Sequence, residues 1–130
     1  MDEKAPQSIL VIDDEQLMVE MYSTILQGNG YIVTHAYSGQ QGIEVFSQNP
    51  QKFDLVLLDF LFPDLNGEKV FERLREIKPT VKIILMSGLD GSRKVDNLLK
   101  AGAISFIEKP CRSQKLVDSV FEALNTNAER

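Results

Sequence analysis

Hydrophobic positions along this chain switch repeatedly between two periods. Ile9-Leu10-Val11-Ile12 is an unbroken apolar run that stops at Asp13-Asp14. A run without polar alternation reads as a strand covered on both faces, as in a parallel sheet sandwiched by helices. Leu17, Met18, Met21, Tyr22, Ile25 and Leu26 then recur at helical spacing, with Asn29 and Gly30 as the stop signal. A short strand is expected over residues 31–34. Ser38 and Gln41 have capping-box spacing, which opens a helix with Ile43, Val45 and Phe46 on its inner face and Asn49-Pro50 at its close. Residues 53–58 form a third apolar run and end on Asp59. Pro63, Asp64, Asn66 and Gly67 mark the loop beyond it, and Val70, Phe71, Leu74 and Ile77 mark a helix that Pro79 ends. Residues 81–86 are a fourth strand finishing at Ser87-Gly88. Val95, Leu98 and Leu99 suggest a helix before Gly102, and residues 104–107 a fifth strand. A last helix opens near Ser113 and is expected to bury Leu116, Val117, Val120, Phe121 and Leu124.

Five strands thus alternate with five helices through short connections. The pattern predicts one α/β domain, a doubly wound five-stranded parallel sheet with helices on both faces and right-handed crossovers. With 130 residues, 43% of them hydrophobic, the chain can fill one sizeable core and shows no second one. Residues 9–125 are read as the domain, 1–8 as a lead and 126–130 as a tail. The apolar runs are strand-sized, so no membrane span is expected. The N-terminal residues lack a secretory leader's basic flank and apolar core, which points to the cytoplasm. A net charge of -5 with no concentrated basic face argues against direct nucleic-acid binding. Cys111 is the single cysteine, so neither an internal disulfide nor a thiolate zinc site is available, and it is read as a reduced thiol without a chemical role.

Chemistry gathers where the strands end. In an open parallel sheet, ligands bind beyond the carboxyl ends of the strands. The first strand delivers Asp13 and Asp14, the third Asp59, the fourth Ser87, and the fifth leads into Lys109-Pro110. Any one of these is ordinarily a turn former, a cap or a solvated charge. Together they place three carboxylates, a hydroxyl and an ammonium at one end of the sheet. Close carboxylates repel unless a proton or a cation intervenes. An all-oxygen donor set suits a hard ion, and Mg²⁺ in particular needs only one or two carboxylates beside a phosphate and water. No His or Cys cluster supports zinc, and His35, the sole histidine, is read as having no functional role.

These residues, in this order, resemble the receiver domain of two-component response regulators. The match comprises Asp13-Asp14, Asp59, Pro63 and Gly67, Ser87, Gly102-Ala103, Phe106 and Lys109-Pro110, and runs from about residue 9 to 124. The resemblance implies a flavodoxin-like sheet of order 2-1-3-4-5. It implies that Asp59 is the phosphoacceptor, taking a phosphoryl group from a phosphohistidine of a sensor kinase or histidine phosphotransfer protein. Asp14, Asp59 and the backbone carbonyl of Leu61 would hold Mg²⁺, with Asp13 joining through water or orienting the site. Lys109 would pair with the phosphoryl oxygens and Ser87 would hydrogen-bond to one of them. Phe106 would be the aromatic switch that turns inward as Ser87 moves. Lys109-Pro110 would be a cis peptide, affordable only before proline. The domain would catalyse its own phosphorylation and dephosphorylation rather than turn over a substrate as an enzyme does. Its output would be a changed face formed by the fourth helix, fifth strand and fifth helix, bound by a downstream protein or by a second copy after phosphorylation. Donor docking is expected along the first helix, beginning at Glu15-Gln16 with Met18 or Val19 partly exposed and Met21 in the core, together with Pro110 and Cys111.

Some positions depart from the usual receiver pattern. Ser87 stands where threonine is more usual, Gly88 where alanine is, and Cys111 where phenylalanine is common; Phe106 carries no hydroxyl. None removes a primary chemical group. Leu61 and Leu89 flank the path of an attacking water by resemblance, and two apolar side chains there imply a long-lived phosphoryl group. Two other functions compete. A phosphate-independent interaction domain would have no use for the retained acids, hydroxyl and ammonium. A metal-dependent phosphatase on a similar sheet wants a second acid two residues after Asp59, where Leu61 stands.

Overall fold

The computed structural model describes residues 6–59, 67–88, 92–109 and 111–126, leaving aside the side chains of 92–95. Along the chain run β1 (Ser8–Ile12), α1 (Gln16–Gly28), β2 (Ile32–Ala36), α2 (Gly39–Gln48), β3 (Leu55–Asp59), α3 (Gly67–Ile77), β4 (Ile83–Ser87), α4 (Ser92–Lys100), β5 (Ser105–Glu108) and α5 (Ser113–Leu124). All strand pairs are parallel, and the sheet order is β2-β1-β3-β4-β5. The expected fold and strand order are both found.

Alternate residues of the central strands face opposite cores, as the two-residue strand period requires. Leu10, Ile12, Val56, Leu58, Ile83 and Leu85 meet Ile43 and Phe46 of α2, Val70, Phe71 and Leu74 of α3, and Leu98 of α4. Ile9, Val11, Leu55, Leu57, Ile84 and Met86 meet Val19, Tyr22 and Leu26 of α1 and Leu116, Val120 and Ala123 of α5. Every residue of β1, β3 and β4 is buried. Continuous apolar runs are therefore required there, because neither face reaches water.

Gly42 sets how closely α2 lies on β1. A Cβ at that position would sit 2.6 Å from Ile12 Cδ1 and 2.9 Å from its Cγ1 and Cγ2. Local signals also behave as chemistry dictates. Ser38 Oγ accepts from the Gln41 N–H at 3.0 Å, while Gln41 Oε1 accepts from the Tyr37 N–H at 2.7 Å, one residue ahead of the usual capping-box donor. Gly30 takes a φ of 92° just after α1, a left-handed conformation that glycine adopts without a Cβ penalty.

Several element ends and faces differ from the sequence reading. β2 begins and ends later than expected, and β3 and β4 run one residue further, onto Asp59 and Ser87 themselves. Leu17 is 80% exposed, Met21 44% and Phe121 60%, so these three apolar residues look outward. Val19, expected near the surface, is buried against the sheet. Helical spacing alone cannot separate a wide apolar stripe facing the core from a narrow one with an apolar fringe. Leu61, Pro63, Asp64, Asn66, Leu89 and Pro110 lie outside the described residues, as does the side chain of Val95.

Candidate functional site

The site begins with strand register. Ile12 lies beside Leu58, so the next residue on each, Asp13 just past β1 and Asp59 at the end of β3, meet at one edge. Asp59 is level with Met86 of β4, and Ser87 is level with Glu108 of β5. Lys109 is fixed next to Ser87 by its backbone, whose N–H donates to the Ser87 carbonyl at 2.7 Å. Four strands end together because the sheet is parallel, and their polar terminal residues share one cleft.

Lys109 Nζ donates to Asp13 Oδ2 at 3.0 Å, to Glu15 Oε1 at 3.0 Å and to Asp59 Oδ1 at 3.4 Å. The other Asp13 oxygen, Oδ1, accepts from the Glu15 N–H at 2.9 Å. Asp13 and Asp59 are buried, whereas Asp14 and Glu15 are exposed. One carboxylate oxygen from each of Asp13, Asp14 and Asp59 falls within a group spanning at most 4.8 Å. Three carboxylates thus contact a single ammonium, and Asp14 adds a fourth beside them. The cluster remains anionic unless protons or a cation join it.

Burial pushes the Asp13 carboxyl above its ordinary range, against the opposing Glu15 N–H bond and Lys109 charge. Burial pulls the Lys109 ammonium the other way. The Glu15 hydrogen bond, the Asp59 charge and the Asp13 hydrogen bond more than offset it, leaving Lys109 above the usual lysine range. Lys109 is therefore charged at neutral pH. Cys111 packs against the core between the sheet and helices α1 and α5, and burial pushes its thiol up, so it stays protonated and a poor nucleophile.

Ser87 is buried, and among the described residues its Oγ makes only a long 3.4 Å contact to the Gly88 carbonyl. Phe106 is half-buried in β5 and packs on the α2–α4 side of the sheet, level with Leu85. Asp13, Asp14, Asp59 and Lys109 are thus brought together, with Ser87 at the neighbouring strand end. Glu15 was read from the sequence only as the start of the docking helix. Its position two residues past Asp13 was the available signal for its carboxylate contact with Lys109.

A carboxylate-only donor set of this kind fits a hard divalent cation such as Mg²⁺ and offers no soft ligand. Among the described residues, no helix is long and apolar enough to cross a membrane.

Known proteins share this fold. The chain is 30% identical over 118 residues to the chemotaxis protein CheY of Bacillus subtilis, covering 90% of this chain and 97% of that one. It is 31% identical to the chemotaxis protein CheY of Thermotoga maritima, over 86% of this chain and 92% of that one. A receiver domain protein from Clostridium thermocellum superposes with a TM-score of 0.88 at 28% identity, covering 92% of this chain and 94% of the other. The model of the response regulator receiver domain matches residues 9–121. The cluster of acids around Lys109 therefore sits in a receiver domain, and the chain belongs to the receiver family of two-component response regulators.

Proposed function

We propose that the domain relays a signal by accepting a phosphoryl group on Asp59 from a phosphohistidine of a sensor kinase or histidine phosphotransfer protein. The P–N bond to imidazole breaks, the ring nitrogen keeps the electron pair, and a P–O bond forms to an Asp59 carboxylate oxygen. The observation that carries this reading is the Lys109 ammonium held between buried Asp13 and Asp59, with a third carboxylate within 4.8 Å.

Asp14 and Asp59 are the residues assigned to hold Mg²⁺, with the Leu61 carbonyl and Asp13 assisting. When bound, that ion supplies charge neutralisation for the phosphoryl oxygens. Lys109 leaves part of its carboxylate set to pair with those oxygens, which costs little geometry because its ammonium already lies 3.4 Å from Asp59. Asp13 is anchored by the Glu15 N–H and keeps Lys109 aimed at the cleft. Among the described residues Ser87 has no strong partner to give up, so its hydroxyl is available to bond a newly arrived phosphoryl oxygen. Phe106, one strand over, follows that movement by repacking. The changed surface is that of α4, β5 and α5, read by a downstream protein or a second copy. Leu17 and Met21 give the donor-docking edge of α1 its apolar character.

The test is phosphorylation by a small phosphodonor in Mg²⁺. The parent gains the mass of one phosphoryl group, and Asp59→Asn does not. Absence of incorporation in the parent, with the fold intact, would instead support a phosphate-independent interaction domain. Amide shifts on Mg²⁺ titration report the metal separately: they centre on Asp13, Asp14 and Asp59, weaken in Asp14→Ala and persist in His35→Ala.

A further inference from the structure

The sheet ends in two edges of different character. β5 carries the exposed charge of Glu108 at one edge. β2, at the other, reads Ile-Val-Thr-His-Ala, with no acidic residue, lysine, arginine or proline, and with Ile32 49% exposed. Charges and prolines are the usual guards of an edge strand, and β2 has neither.

Backbone parity shows which groups of β2 point outward. The Ile32 N–H donates to the Gln7 carbonyl and the Ala36 carbonyl accepts from the Asp13 N–H, so Ile32, Thr34 and Ala36 hydrogen-bond toward β1. The N–H and C=O of Val33 and His35 consequently point away from the sheet. Both flanks are closed: the Tyr31 N–H donates to the Leu26 carbonyl, and the Tyr37 N–H to Gln41 Oε1. The exposed ladder is confined to two residues, symmetric about Thr34.

We propose that β2 is a self-association edge, pairing antiparallel with β2 of a second copy of this chain about a two-fold axis at Thr34. In that register Val33 of each copy faces His35 of the other as a hydrogen-bonded pair, and all four outward N–H groups find carbonyl partners. A parallel or displaced pairing leaves part of this short ladder unmatched. An uncharged strand also sets no like charges opposite one another when it meets itself. The axis stands perpendicular to the sheet, so the α1 sides of both copies coincide. There a hollow of about 380 Å³ lies between β2 and α1, lined by Val33, His35 and Tyr37 from the strand side and Glu20, Thr24 and Gln27 from the helix. It gives the partner's His35 and Tyr37 side chains room. The edge is remote from the α4–β5–α5 face and leaves the acidic cleft open.

The experiment is sedimentation of the full chain over a wide concentration range, in low and moderate salt. The expected result is a doubling of mass with concentration. Association should strengthen as salt screens two chains each carrying -5. His35→Pro, which deletes an outward donor at an edge position that tolerates proline, should weaken it at least tenfold, and His35→Lys should do likewise. Thr34→Cys in a Cys111→Ser background should form an intermolecular disulfide, because the two Thr34 Cα atoms come to about 4.5 Å in a pair of that type. A monomer at all concentrations overturns the proposal. So does a dimer that survives both His35 variants, one that is lost instead in Phe121→Lys, or one that gives no Thr34→Cys crosslink.

Discussion

Lys109→Met gives the sharpest view of what holds the acidic cluster together, because methionine keeps the apolar stem and removes only the ammonium. Two of the three pairs lost are largely desolvated: the side chains of Lys109, Asp13 and Asp59 are 11%, 2% and 8% exposed. The third partner, Glu15, is 60% exposed and contributes little after solvent screening. A unit pair near 3 Å is worth roughly 5 kcal/mol at an effective dielectric of 20, before the desolvation that opposes it. Breaking a buried pair while leaving its acids in place costs about 3–5 kcal/mol in general. Two such acids, at a cleft open to water on one side, should bring this to about 2–3 kcal/mol. With a urea slope of about 1–3 kcal/mol/M, the unfolding midpoint falls by roughly 0.7–3 M. The sign with pH follows from the shifts. The raised Lys109 contributes stability that is complete below the unfolded lysine value and is lost only as pH climbs through its higher folded value, so neutral pH shows the full effect. Asp13 is already raised by burial and rises further without its cation. The deficit of Lys109→Met should therefore narrow as pH falls through the folded Asp13 value and the carboxyl takes a proton. Mg²⁺ should narrow it too, because at ten times its dissociation constant it stabilises the variant by about 1.4 kcal/mol, more than it stabilises the parent. Urea unfolding with and without Mg²⁺, at neutral and mildly acid pH, makes the measurement. An unchanged midpoint, with the same Mg²⁺ response in both proteins, refutes the view that Lys109 balances these acids.

Gly42→Ala gains about 1 kcal/mol of helix propensity but forces a Cβ into Ile12, and overpacking of about 1–3 kcal/mol should prevail. Thermal melting checks this, and a double mutant with Ile12→Val should be less destabilised than the sum of the singles. Leu17→Lys and Met21→Lys lie on exposed ground, so stability should hold within about 0.5 kcal/mol. Phosphotransfer from a histidine donor should slow at least several-fold while small-phosphodonor labelling stays unchanged; equal slowing of both would place these residues elsewhere in the mechanism. Phosphorylated Asp59 is expected to decay more slowly in the parent than in a variant with polar residues at both Leu61 and Leu89, followed after donor removal in Mg²⁺. Equal decay would show that these positions do not set the lifetime.

Two periods in the sequence determined the fold. Short unbroken apolar runs such as Ile9-Leu10-Val11-Ile12, bounded by turn signals, read as strands covered on both sides, and their regular alternation with helices favours a parallel sheet. The acids after the first and third runs could be assigned to one end of the sheet for the same reason, since parallel strands all finish there. Register and exposure were settled by tertiary packing. Nothing in the spacing of Leu17, Met21 and Phe121 distinguishes them from Val19 or Leu116. Their outward aim depends on how far each helix is rotated over the sheet, which the summed contacts of α1 with α5 and the strands decide. Glu15 became a partner of Lys109, 94 positions along the chain, only because the fold brings the end of β5 beside the start of α1. The symmetric pair of free N–H groups on β2 likewise depends on pairing with β1, because hydrogen-bond parity belongs to two strands together and is written in neither alone.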